Sequence, residues 1–163
     1  MSLLQLLSDG RNDILARFVR GVEQKDLPPT GLPPSVLIDH IPLFLEEIAT
    51  EMSRAAGARM SMDAAEVNAT ARQHGEQRWK VGYDLEAVVR EYAVLRHAIL
   101  ESARARGLSL STDESEVLSS YLNVGVAGAT AEYVRSSEAR LKERQKGPRA
   151  TGSPEWHERP RRR

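Results

Sequence analysis

The side chains best suited to chemistry in this 163-residue sequence stand close together: His74, Arg78, Trp79, Tyr83 and Tyr92. His74 and Arg78 are one helical turn apart, so an imidazole and a guanidinium share a face, where they can hold an anion or meet an acidic neighbour. For Arg78 the simpler fate is a salt bridge. His74 admits three readings: a core or boundary histidine hydrogen-bonded to a carbonyl or carboxylate, a contact in a sensory pocket, or a ligand to haem or metal. Trp79 and Tyr83 flank Gly82. They read first as a plug that locks the corner between two helices, and second as a reporter of a ligand that shifts that corner. His40 shares a face with Leu37 and Phe44 and reads as packed; His97 falls opposite Leu95 and Ile99 and reads as exposed.

Catalytic constellations are missing. There is no phosphate-cradling Walker loop, no glycine-rich dinucleotide fingerprint, no HExxH and no GxSxG. No histidine has a glutamate three residues before it, which removes the ligand pair of di-iron helical bundles. Carboxylate pairs such as Glu46/Glu47 and Glu114/Glu116 read as solvated helix surface. Cysteine is absent, so disulfides, thiolate metal sites and cysteine nucleophiles are excluded. The expectation is a non-enzyme with no catalytic residue, no metal site and no cofactor.

Composition agrees with a regulatory or binding protein. At 40% hydrophobic and 28% charged the chain supports one core. Its apolar runs, such as Val36 to Ile38 and Ile41 to Leu45, fall far short of the roughly 20 residues that cross a bilayer. With no signal peptide at Met1 to Leu7, the expected home is the cytoplasm, with no membrane contact. The zero net charge hides an asymmetry: residues 142–163 hold 8 of the 23 Lys/Arg but 3 of the 23 Asp/Glu, leaving 15 against 20 in residues 1–141. An acidic body argues against a nucleic-acid surface on the folded part, although the basic tail can touch phosphates weakly.

Only helical periods recur, so the class is all-α, with about five helices that must position these residues. The first spans Ser2 to Gln24, with a weak point at Asp9 and Gly10, and the proline pairs of LPPTGLPP end it. The second carries Leu37, His40, Ile41, Phe44, Leu45, Ile48 and Met52 and ends near Gly57. Pro42 is either in the first turn of a fresh helix capped by Asp39 or a kink; a short helix running into a kink is the favoured form. A third, from Asp63 to about Lys80, has Ala64, Val67, Ala71, His74 and Arg78 on its inner face. Such small residues leave room for close helix packing or a small pocket. The fourth, capped by Asp84 and closed by Arg104, Arg106 and Gly107, places Leu85, Val88, Val89, Tyr92, Leu95, Ile99 and Ala103 on one core stripe. A Ser111/Glu114 pair caps the fifth, whose Val117, Leu118, Tyr121, Leu122, Val124, Gly125 and Gly128 face inward, and which continues toward Lys146. Residues 147–163, rich in Pro, Arg, Gly and Ser, read as a disordered basic tail in which His157–Glu158 with Pro160 only faintly echoes a kinase phosphoacceptor box.

The run HGEQRWKVGYDLEAVVREYAVLRHAIL resembles the signature of the RsbRD-type N-terminal domain: His74–Gly75 then Arg78, Gly82–Tyr83–Asp84–Leu85, Arg90–Glu91–Tyr92, and Leu95–Arg96. A second element, LIDHIPLFLEEIA from Leu37 to Ala49, is similar to that family's helix with Asp-His-Ile-Pro and accounts for Pro42. Together they span most of residues 14–134. The resemblance implies a globin-like, non-haem helical bundle with a long C-terminal helix. In such a chain residues 1–134 form a sensor domain and residues 135–146 a signal-transfer extension. The implied function is non-catalytic: a signal received through the bundle modulates a histidine kinase or stressosome-type output. The alternative is a ligand- or haem-binding globin-like protein using His74. On the first reading the signal site comprises His74, Arg78, Trp79, Tyr83 and Tyr92, and the transfer helix uses Tyr121, Val134 and Leu141. The implied partners are a second copy of the chain and a kinase, STAS-domain or response-regulator protein of two-component or stressosome signalling. The chain ends without a kinase core or STAS domain, so a stand-alone sensor and a truncated one both remain open.

Overall fold

The computed structural model describes residues 1–55 and 64–145, which form seven helices with no strand among them. These are α1 (Leu3–Asp9), α2 (Arg11–Gln24), α3 (Pro34–Ile38), α4 (Ile41–Ala55), α5 (Ala64–Lys80), α6 (Leu85–Ala105) and α7 (Thr112–Gln145). The all-α expectation with a long last helix holds. The two additional helices come from breaks in the first two expected segments.

The first break is at Gly10, whose N–H donates to Leu6 O and whose carbonyl starts α2 by accepting from Asp13 and Ile14. The second corrects the kinked helix expected through Pro42. The Pro42 ring would strike the carbonyl four residues back, Ile38 O, so the helix stops there. α3 ends at Ile38, and α4 begins afresh with Pro42 in its first turn, where the missing N–H has no partner to lose. The His40 carbonyl accepts from Phe44 N at 3.0 Å. The caps expected at Gly57 and Asp63 lie outside the described residues.

α6 forms the centre of the bundle. Asp84 Oδ1 caps it by accepting from Ala87 N at 2.7 Å, and Gly107, at φ +66°, closes it. Its buried face runs through Ala87, Val88, Glu91, Tyr92, Val94, Leu95, Ala98, Ile99, Ser102 and Ala103. Leu85 and Val89, expected in the core, are 36% and 40% exposed. The buried arc is rotated toward the Ala87, Val94 and Ala98 flank, where α2 packs, and this carries Val89 to the outer edge. Val88→Ala should therefore lower stability by about 2 kcal/mol, whereas Val89→Ala should stay within about 0.5 kcal/mol, as read from urea midpoints.

Polar contacts fix the ends. Asp13 on α2 bonds Arg17 at 3.1 Å, Ser102 at 2.9 Å and Arg106 at 2.8 Å. The Arg106 guanidinium, against the opposing effect of burial, holds the Asp13 carboxyl down to about 2. Glu114 completes the expected cap with Ser111 and also accepts from Leu3 N at 2.9 Å, which ties the start of α7 to the start of α1.

α7 is about 51 Å long at 1.5 Å per residue. Val117, Leu118, Tyr121, Leu122, Gly125, Gly128 and Ala129 are buried, while Val124 is only partly so. α5 lies along this helix in close contact. A Cβ built on Gly75 would sit 2.1 Å from Ala129 O, so only glycine admits this crossing. Of the inner face expected on α5, Ala71 is fully buried, and the side chains of Ala64 and Val67 lie outside the described residues. Among the described residues no helix is long and apolar enough to cross a membrane.

Candidate functional site

Three charged or polar side chains meet where α5 crosses α6, and all are buried: His74 at 3%, Arg78 at 0% and Glu91 at 1% exposure. Their spacing places His74 and Arg78 on the same face of α5, opposite Glu91 of α6. One oxygen, Glu91 Oε2, accepts from Arg78 Nε at 2.7 Å and lies 3.0 Å from His74 Nε2. The rest of the guanidinium reaches α3. Nη1 donates to Val36 O at 2.9 Å and Nη2 to Leu37 O at 2.8 Å, while Gln77 Oε1 takes another Nη1 bond. These are carbonyls at the end of α3 that the short helix cannot satisfy itself. Arg78 also stacks 4.9 Å from the centre of the Tyr83 ring. One fully buried cation therefore fastens α3, α5 and α6 together.

This geometry lies within a recognisable unit. Residues 11–146 match the family model described as the RsbT co-antagonist protein rsbRD N-terminal domain. The chain belongs to that family. No curated protein and no solved structure matches the chain. The matched region of this RsbRD N-terminal domain begins at α2 and takes in the cluster and all of α7, and the family is one of regulatory, sensor-type domains.

The charges of the cluster follow from its surroundings. Burial pushes the Glu91 carboxyl up, but the His74 hydrogen bond and the Arg78 charge outweigh it and hold Glu91 below the usual carboxylate range. Burial pushes His74 down, further than the Glu91 carboxylate raises it, with the Arg78 charge adding to the fall. The resting state is Glu91 ionised, Arg78 charged and His74 neutral. An ionised carboxylate only accepts, so the His74 proton sits on Nε2, and Nδ1 is a buried acceptor without a partner among the described residues. Burial also raises the Tyr83 and Tyr92 hydroxyls, so both stay protonated.

Beside His74 a space of about 10 Å³ is lined by His40, Ile41, Phe44, Thr70, His74, Glu91, Tyr92 and Leu95. That is room for about one water. A haem does not fit: sites for ligands of that class take roughly 300–1,000 Å³, and His74 Nε2 is already committed to Glu91. Among the described residues no group of three or more His, Asp or Glu is arranged to hold a metal ion.

Of the five residues expected at the site, the fold of this RsbRD N-terminal domain brings four together. Tyr83 is buried under Arg78, and Tyr92 meets the His74 ring edge-on at 5.7 Å. Trp79 turns away toward α7, where Arg140 lies 5.8 Å from its ring, so Tyr83 alone plugs the corner. The Tyr83 carbonyl accepts from Tyr133 of α7 at 2.7 Å. Tyr121 is a core residue, its hydroxyl donating to Glu47 Oε2 at 2.9 Å, and it is separate from the exposed Val134 and Leu141. His40, half-buried, packs 6.4 Å from His74, ring to ring. Glu91, visible in the sequence only as part of the family signature, is the site residue missing from the expected set, although a lone carboxylate between Val88 and Leu95 on an apolar helix face is a signal that a cation must meet it.

The neutral buried histidine makes stability depend on pH. In the unfolded chain His74 takes up a proton near its ordinary value of 6.5, whereas the folded site, enclosed by Glu91, Arg78, His40, Thr70 and Tyr92, resists it. Its contribution is fully present above that value and is lost as pH falls through it. The expected slope between pH 6.5 and the lower folded value is at most about 1.4 kcal/mol per pH unit. Below the ordinary Glu91 value of 4.5, loss of the carboxylate acts in the same direction. Urea midpoints should fall from pH 7 to pH 5, and His74→Gln should flatten that fall; an unchanged slope would mean that His74 takes up its proton as readily in the fold as in the unfolded chain.

Proposed function

We propose that this domain is a non-catalytic cytoplasmic regulator in which the position of α5 is read out by α7 and passed to an output partner. The observation that carries the proposal is the place of Gly75. It lies between His74 and Arg78, which bind α5 to Glu91 of α6, and it is itself keyed against Ala129 of α7. A change that loosens the Glu91 cluster frees α5 from α6, and α7 must follow because the α5–α7 crossing has no slack.

The outer half of α7 is suited to pass this on. Val134 and Leu141, seven residues apart, are 41% and 55% exposed, as in the seam of a two-stranded coil. A homodimer through this seam, presenting α7 to a kinase, STAS-domain or response-regulator partner, is the assembly that this exposed apolar pair supports. Sedimentation of the full chain should give a dimer that Val134→Glu with Leu141→Glu converts to monomer with an unchanged melting temperature. In a pull-down the same variant should lose a kinase, STAS-domain or response-regulator protein encoded beside it. A monomeric wild type together with an unaffected pull-down would remove α7 as the output.

A further inference from the structure

One surface groove carries a charge opposite to that of the body. Residues 1–141 hold 15 Lys/Arg against 20 Asp/Glu. Yet a groove of about 440 Å³ between α2 and α6 is lined by Arg17, Arg20 and Lys25 from one wall and Arg90 and His97 from the other. Glu101 is the lone carboxylate in that lining, and it is already engaged by Arg17 at 3.5 Å and His97 at 3.3 Å. Arg17 is further neutralised by Asp13. Arg20 and Lys25 have no acidic partner among the described residues, and Arg90 reaches Glu86 only at 3.6 Å across an exposed pair. Gly21 draws the walls together, because a Cβ there would lie 2.6 Å from Val94 Cγ1. Arg20 and Lys25 thus converge on a concave site without an acidic partner among the described residues, joined by Arg90, whose exposed pair with Glu86 compensates it only weakly.

The lining limits what can fill it. It contains no Phe, Tyr or Trp, and its single imidazole, His97, lies beside Glu101 at 3.3 Å. It also lacks the Trp and Tyr anchors that accompany Arg at the hot spots of protein interfaces. Arginine forks on opposite walls match phosphate oxygens, and a concave site concentrates such a ligand in a way that a flat basic patch does not. We infer that the α2/α6 groove is a binding site for a compact small molecule bearing two or more phosphate groups.

Sodium tripolyphosphate is the probe, titrated into the isotopically labelled full chain at low salt. Amide shifts should centre on Arg20, Gln24, Arg90 and His97. Arg20→Gln with Arg90→Gln, both exposed positions, should weaken binding at least about tenfold with the melting temperature unchanged. No shifts, shifts centred on the basic residues 142–163, or an unaltered affinity in the double variant would overturn the site. Phosphatidylglycerol vesicles that bound through these same residues more tightly than tripolyphosphate would overturn the free ligand in favour of a lipid headgroup.

Discussion

Glu91→Leu should lower the stability of this domain by about 3–5 kcal/mol, the usual consequence of removing one partner from a buried ion pair. Leucine is similar in volume to glutamate, so the loss reflects charge and not a cavity. Arg78, with no exposed surface, would keep its bonds to Val36 O and Leu37 O but lose its counter-charge, and His74 Nε2 would lose its acceptor. A guanidinium cannot shed its proton to escape. For a domain of this length the melting temperature should fall by roughly 6–20 °C. Adding Arg78→Met should recover part of this, since an apolar pair of similar volume replaces a buried ion pair at little loss. Recovery should be incomplete because the α3 carbonyls then lack their donor. If the two single changes instead added in the double variant, the residues would not be acting as a pair.

Gly75→Ala should also destabilise, although alanine is the better helix former by up to about 1 kcal/mol. The new methyl group would stand 2.1 Å from Ala129 O, and the obstacle is backbone, which cannot turn aside as a side chain does. Overpacking of this kind runs to about 1–3 kcal/mol, occasionally more, so the net effect should be a loss of about 2 kcal/mol. Gly75→Leu should lose more. Gln73→Ala, an exposed neighbour on the same helix, provides the control and should be neutral or slightly stabilising. Chemical denaturation of the three variants checks this. A stabilised Gly75→Ala would mean that α5 and α7 are not in close register.

The fold was legible wherever local chemistry decides it. Caps at Asp84 and at Ser111 with Glu114, the stop at Gly107 and the weak point at Gly10 all depend on a few adjacent residues. Pro42 was misjudged because the choice between a kink and a fresh start is settled by the carbonyl of Ile38 and by the partner that then ties down the end of α3. That partner is Arg78, some forty residues away in the chain. Leu85 and Val89 were misplaced for a related reason. A stripe of apolar residues gives a direction but not which of its flanks meets a neighbour, and α2 covers the flank of small alanines. At the site, His74, Arg78, Tyr83 and Tyr92 were visible by type and spacing on or beside α5 and α6. Glu91 was not, because its role exists only once α6 turns it toward α5. The same step from local pattern to packing explains why Trp79 faces α7 instead of the corner.

In the proposed mechanism the Glu91 cluster sets the position of α7 through α5. Spin labels at the exposed positions His97 on α6 and Glu143 on α7, which lies off the Val134/Leu141 seam, report that relation directly in the folded full chain. With the cluster intact the distance distribution should be narrow. Glu91→Gln, which keeps the shape of the side chain and removes its charge, should shift or broaden it at a temperature well below unfolding. A distribution identical to that of the wild type, in a variant whose stability has nonetheless fallen, would contradict the account and leave the cluster as a structural fastening alone.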